Sequence, residues 1–237
     1  MANGSYPARL GLESPLEVKN WRPLVHWFLA IPHYLVIYAL RILRFALTIV
    51  AFFTILFTKQ VPDSIFNMIV MTRRYGWRVT SYVLWMRESY PPFSFTASAQ
   101  DDGVDPAWLS IDYPRELNRW LVLVKWWLLA IPHYVVLWFL GVGAFFVAIV
   151  AFFAVLFTGK YPEGMRSFLV GVSRWTLRVY TYAGLLRDEY PPFSLEDGVP
   201  GGAPPATASG PSAVPPPPPE GQPPVVPPPP PPPPPAG

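Results

Sequence analysis

Two long apolar runs dominate the pattern of this chain. The second is the cleaner. From Leu121 to Phe157 the only charge is Lys125, and Tyr134 to Phe157 carries none. As a helix, those 24 residues extend about 36 Å, against a hydrocarbon core of roughly 30 Å. The first run, Tyr34 to Phe57, has the same character but is interrupted by Arg41 and Arg44. Such length, apolar all round, predicts a transmembrane helix in each run rather than a buried helix of a soluble protein.

The runs belong to a repeat. Between Trp27 and Ser94, 30 of 68 residues recur unchanged 100 positions later, without a gap. Leu29-Ala30-Ile31-Pro32-His33-Tyr34 returns as Leu129-Ala130-Ile131-Pro132-His133-Tyr134. Upstream the offset is 99, with Trp21 matching Trp120, so copy two holds one extra residue before Trp127. Self-similarity of this length fixes the architecture as two units.

Each unit has four parts. Ala8 to Glu13 and Ala107 to Asp112 alternate enough to predict a brief strand. The apolar run follows. A turn containing Pro62 or Pro162 comes next, with the proline expected in the first turn of the following helix. Asp63 and Glu163 then favour its positive end. The last part is an amphipathic helix, about Asp63 to Arg87 and Glu163 to Arg187, with Arg74 and Arg78, or Arg174 and Arg178, on one face. Tyr-Pro-Pro-Phe-Ser at 90–94 and 190–194 closes each unit in extended form. The expected organisation is repeat one at 6–95, an exposed acidic linker at 96–105, repeat two at 106–195 and a tail at 196–237. The expected fold class is an all-α integral membrane protein with two tandem repeats. The tail holds 20 of the 33 prolines and is expected to be a disordered, polyproline-rich arm.

Composition agrees with this picture. Aromatic residues make up 16% and charged residues only 14%, which suits extensive lipid contact. There is no cysteine, excluding disulfides and thiolate chemistry, and the net charge of +3 does not argue for nucleic acid. The first seven residues lack a signal-peptide pattern, so the apolar runs are expected to direct insertion. Orientation stays open. With one crossing per unit the copies are inverted, and Lys and Arg divide evenly, eight to a side. Two crossings per unit would set both copies the same way up.

The candidate functional residues are few. Arg74, Arg78, Arg174 and Arg178 are expected to contact anionic lipid headgroups or another anion. His33 and His133 are expected to mark a helix start at interfacial depth. No His, Cys or carboxylate set stands at metal-ligand spacing, so no metal or cofactor is expected. Arg41 and Arg44 are charges inside an apolar run, but Gly141 and Ala144 replace them in copy two. No catalytic constellation appears, so no enzymatic activity is expected. The tail suits a polyproline-binding partner or a spacer.

The Ala-Ile-Pro-His-Tyr entry, the Leu-Phe-Thr-Gly-Lys-Tyr-Pro exit, the Arg-Trp-x-x-Arg-Val segment and Tyr-Pro-Pro-Phe-Ser together resemble the bacterial membrane-protein family called domain of unknown function 4389. Copy two matches closely; copy one has Lys59-Gln60 for Gly-Lys and Tyr75 for Trp175. The resemblance implies a bacterial integral membrane protein and no particular activity. The expected role is a non-enzymatic scaffold or lipid- and partner-binding protein, multi-pass in the cell membrane. A small transporter or channel built on the repeat is the alternative.

Overall fold

A computed structural model describes residues 6–196, so the proline-rich arm expected at 196–237 lies, from residue 197 on, outside the described residues. The chain runs β1 (Ala8–Leu12), α1 (Arg22–Leu29), α2 (Ile31–Thr58), α3 (Asp63–Val83), β2 (Ala107–Ile111), α4 (Leu121–Val124), a π-helical turn (Lys125–Leu129), α5 (Ile131–Thr158) and α6 (Glu163–Ala183). The fold is mostly helical rather than all-α, because the two brief strands form and pair with each other.

Proline placement sets the helix boundaries. Pro32 and Pro132 lack the N–H that would continue the preceding helix, so α2 and α5 restart after Ala30 and Ala130. Pro62 and Pro162 stand at the N-cap in extended conformation, one position earlier than expected, with Asp63 and Glu163 in the first turn. At the far end of α2 the chain reverses through Lys59 at φ 62°, and after α5 through Gly159 at φ 67°. A side chain in that left-handed region is strained where glycine is not. Lys59→Gly is therefore expected to raise stability by about 1 kcal/mol. Gly159→Ala should lower it, since its Cβ would also meet the Asn20 side chain at 2.8 Å. Thermal melts of both variants check the pair, and a lower melting temperature for Lys59→Gly would refute it.

The one-residue insertion has a structural form. Copy two enters α5 through the π-helical turn at Lys125–Leu129, which takes up one extra residue without displacing its flanks. Lys125 thereby becomes the counterpart of His26, rather than Trp126. Both are fully buried, His26 against the Tyr82 carbonyl and Lys125 against the Arg187 carbonyl and Asp188.

α3 and α6 end at Val83 and Ala183, four residues earlier than expected. Left-handed turns at Trp85 and Leu185 bring Arg87 and Arg187 back toward the core.

The sheet relates the copies. β1 and β2 are antiparallel, and Leu10 lies opposite Leu109, its own repeat mate. The pairs Ala8 with Ile111 and Leu12 with Ala107 are exchanged by the same operation. A local twofold axis therefore passes between Leu10 and Leu109. The strands are also exchanged: β2 of copy two packs on α3 of copy one, and β1 of copy one packs on α6 of copy two. Their inward residues Leu10, Leu109 and Ile111 join Phe66, Trp77 and Leu177 in one core drawn from both copies.

The same twofold sets helix directions. Gly159 and Leu156, at the end of α5, accept bonds from Val18 and Asn20, just ahead of α1 and α2. Lys59, at the end of α2, accepts from Leu117, just ahead of α4 and α5. Each long helix thus starts where the other ends, and α2 and α5 run antiparallel. Parallel placement of the two copies does not occur.

Candidate functional site

Helices Ile31–Thr58 and Leu121–Thr158, the latter counting α4 to α5 as one, are long and apolar enough to cross a membrane. Both leave an apolar stripe exposed. On α2 it includes Leu35, Ile42, Phe45, Ile49, Phe53 and Phe57; on α5 it includes Val135, Val142, Phe145, Ile149, Phe153 and Phe157. The spacings of three, four and seven place each set on one side of its helix. Phe57 is 74% and Phe157 76% exposed, far beyond the scattered surface apolars of a soluble protein.

The four arginines expected at a lipid surface are elsewhere. Arg74 and Arg78 are buried. Arg74 donates to the carbonyls of Leu109 (3.0 Å), Thr96 (3.3 Å), Ser98 (2.9 Å) and Gln100 (2.6 Å) and pairs with Asp101 at 3.2 Å. Arg78 pairs with Asp101 and, more closely, with Asp102. Arg178, also buried, donates to Ser194 and Glu196 carbonyls, and half-buried Arg174 donates to Leu10 at 3.0 Å. Arg74, Arg78 and Arg178, so enclosed, do not form a headgroup-facing surface. The spacing of four does give a shared face, but that face meets the other copy's strand and the extended segment after the helix.

The acidic segment 96–105 supplies the partners of Arg74 and Arg78. It is exposed in part, at Thr96, Ala97, Gln100, Gly103 and Val104, but its three carboxylates tie it down as a strap over α3. Asp105 and Arg87 form a fully enclosed pair at 2.6 Å, with side chains 2% and 0% exposed. Arg87 also donates to the Arg78 carbonyl at 2.8 Å. Burial alone raises the Asp102 carboxyl pKa. Bonds from Arg78, the Val104 amide and Ser94 outweigh it and bring the group down to about 2.

His33 and His133 do open α2 and α5, as expected, but neither is exposed. His33 Nδ1 lies 2.6 Å from the Tyr75 hydroxyl, and its ring stacks on Phe93 at 4.4 Å. His133 Nδ1 accepts from the Trp175 indole at 3.1 Å and stacks on Phe193 at 4.1 Å. Tyr90 and Tyr190 complete the two cages. The Tyr-Pro-Pro-Phe exits thus serve as lids on the histidines. Among the described residues no group of three or more His, Cys, Asp or Glu could hold a metal.

A third arrangement escaped the sequence reading in part. Arg41 and Arg44 of α2 meet Arg73 of α3 in a cleft of about 270 Å³ that also takes in Leu10, Leu109, Thr176 and Tyr180. It lies at the twofold, since the repeat mates 73 and 173, 76 and 176, 77 and 177, and 80 and 180 all border it. Arg73 sits over the Tyr180 ring at 4.7 Å. Burial, then the Arg44 and Arg41 charges, lower the Arg73 pKa to about 9, while Tyr180 opposes them. The available signal was asymmetry: Gly141, Ala144 and Ser173 stand where copy one has three arginines.

The architecture defines a class: a duplicated helical protein with two exposed apolar helices and strands exchanged between its copies. The family described as a domain of unknown function (DUF4389) matches residues 20–94 and again 122–194, and the chain belongs to it as two tandem copies. Each match runs from just before α1 or within α4 to the Tyr-Pro-Pro-Phe lid, leaving the strands and strap outside. No curated protein and no solved structure matches the chain.

Proposed function

We propose that the protein is a non-enzymatic membrane scaffold seated by one face in the cell membrane. α2 and α5 lie along the bilayer with their stripes in lipid, and the sheet and strap stand in water. From the aqueous side it presents the proline-rich arm to a polyproline-binding partner, and nucleic acid has no part in it. The carrying observation is where the polar surface falls. The outer side of the sheet carries Arg9 and Asp112, paired at 3.4 Å with side chains 33% and 47% exposed. It lies level with the middle of α3, because Arg74 bonds Leu109 and Trp77 bonds Gly11. α3 in turn packs along α2. With α2 upright across the bilayer, these charges and the exposed strap around Gly103 would sit at hydrocarbon depth. There charges and unpaired backbone are disfavoured by several kcal/mol each. With α2 and α5 lying flat, the same groups point to water.

The absence of cysteine makes the test direct. Single cysteines at Gln60, Ala97 and Lys160 are probed with an impermeant maleimide in sealed vesicles. All three should label from the same side, while Phe45→Cys stays protected. Labelling of Gln60 and Lys160 from opposite sides, with Ala97 protected, would replace this seating by two inverted crossings. That is the arrangement a transporter or channel would use.

A further inference from the structure

We infer that the cleft formed by Arg41, Arg44 and Arg73, with Thr176 and Tyr180, is a binding site for the phosphate of an anionic lipid headgroup. Arg41, Arg44 and Arg73 all line one cleft of about 270 Å³. None of them forms an ion pair among the described residues, although arginines 74, 78 and 87 on the same copy all do. That contrast carries the argument. Each arginine outside the cleft that the fold encloses in copy one was given a carboxylate from the strap. The cleft received none. Arginine keeps its proton in proteins, so the mutual repulsion of these three persists until an anion enters.

The remaining lining fits a phosphate rather than a carboxylate-bearing peptide. Thr176 and Tyr180 line the cleft, and their hydroxyls have no hydrogen bond to another described group, so both are available to donate to phosphate oxygens. Ser173 and Thr80 spend their hydrogens on the carbonyls of Leu169 and Gly76. The volume is at the lower end for ligand pockets, enough for a headgroup but not for acyl chains. The chains have a place outside: Arg41 is exposed on α2, directly beside exposed Ile42 and Phe45. A lipid could leave its phosphate among the arginines and lay its tails along the stripe. Because all three cations come from copy one, the twofold yields one site per chain, not two. The inference deepens the membrane reading above and rests on its flat seating, since an upright α2 would carry Arg41 and Arg44, which are mid-helix, to hydrocarbon depth, away from any headgroup.

The experiment is native mass spectrometry of the full chain in neutral detergent, with phosphatidylglycerol, phosphatidylcholine or inorganic phosphate added. The wild type should retain one phosphatidylglycerol in preference to phosphatidylcholine. Arg44→Ala combined with Arg73→Ser installs what copy two already carries. This variant should weaken retention about thirtyfold, on the basis of about fivefold per basic residue. Arg44→Lys with Arg73→Lys should keep most of it, and guards against loss through misfolding. A wild type without preference for phosphatidylglycerol would overturn the site, as would undiminished binding by the alanine and serine variant. Displacement of the lipid by millimolar phosphate would overturn the lipid assignment. Because the readout is in detergent, it fails or succeeds separately from the labelling test of seating.

Discussion

Arg87→Ala is expected to lower the unfolding free energy by about 3–5 kcal/mol. The side chain is wholly enclosed, and it holds the Asp105 carboxylate at 2.6 Å and the Arg78 carbonyl at 2.8 Å. Truncation leaves Asp105 charged and buried, with the Ala107 amide as its remaining donor. Desolvation then has no opposite charge to offset it. Replacing both partners removes the charge along with its cost, so Arg87→Met with Asp105→Leu should recover much of the loss. Urea unfolding in micelles reads both effects, and a single variant within about 1 kcal/mol of the wild type would sink the argument. The neighbouring latch adds an acid dependence. Asp102 has a folded pKa of about 2, below its ordinary 3.8. Its contribution is therefore complete above the ordinary value and is lost as pH falls toward 2.

These latches mark the limit of what the sequence shows. The two long apolar helices were legible, because the stretch from Tyr134 to Phe157 carries no charge at all. Alternation located both strands, and the repeat register located the one-residue insertion that became the π-helical turn. What the pattern could not show was who meets whom. Arg74 and Arg78 look alike whether they face headgroups or carbonyls. The deciding partners are Leu109 and Asp101, roughly thirty residues on. The acidic strap reads as a linker because its charges are local in sequence and their counterions are not. The histidines stand in the first turn of α2 and α5, where the repeat placed a helix start. Their enclosure depends on Phe93 and Phe193, 60 residues later. The recurrence of Tyr-Pro-Pro-Phe in both copies was the one available hint. The arginine cleft is the converse case. There, failure of the repeat to repeat was the signal, and a search for shared residues passes over it.

The exchanged strands lead to the other large effect: neither half should fold alone, although each carries a complete match to the family. Residues 1–95 would lack β2 and the strap, so α3 would lose Leu109 and Ile111 and leave Arg74, Arg78 and Arg87 without their carboxylates. The two apolar residues account for about 3–6 kcal/mol, and one uncompensated buried arginine for a further 3–5 kcal/mol or so. Together these approach the whole stability of an ordinary domain, about 5–15 kcal/mol. Residues 106–196 would likewise lose β1 from α6, including the Leu10 carbonyl that holds Arg174. Each fragment alone should show no cooperative thermal transition and should be cut rapidly by protease. Co-expressed as 1–105 and 106–237, the halves should copurify one to one and melt together, because the exchanged strands need no covalent link to pair. A cooperative melt from 106–196 alone would mean that the copy is self-sufficient and that strand exchange adds little. Copurification with Leu10→Asp in place should fail, since the charge would sit on the twofold directly opposite Leu109.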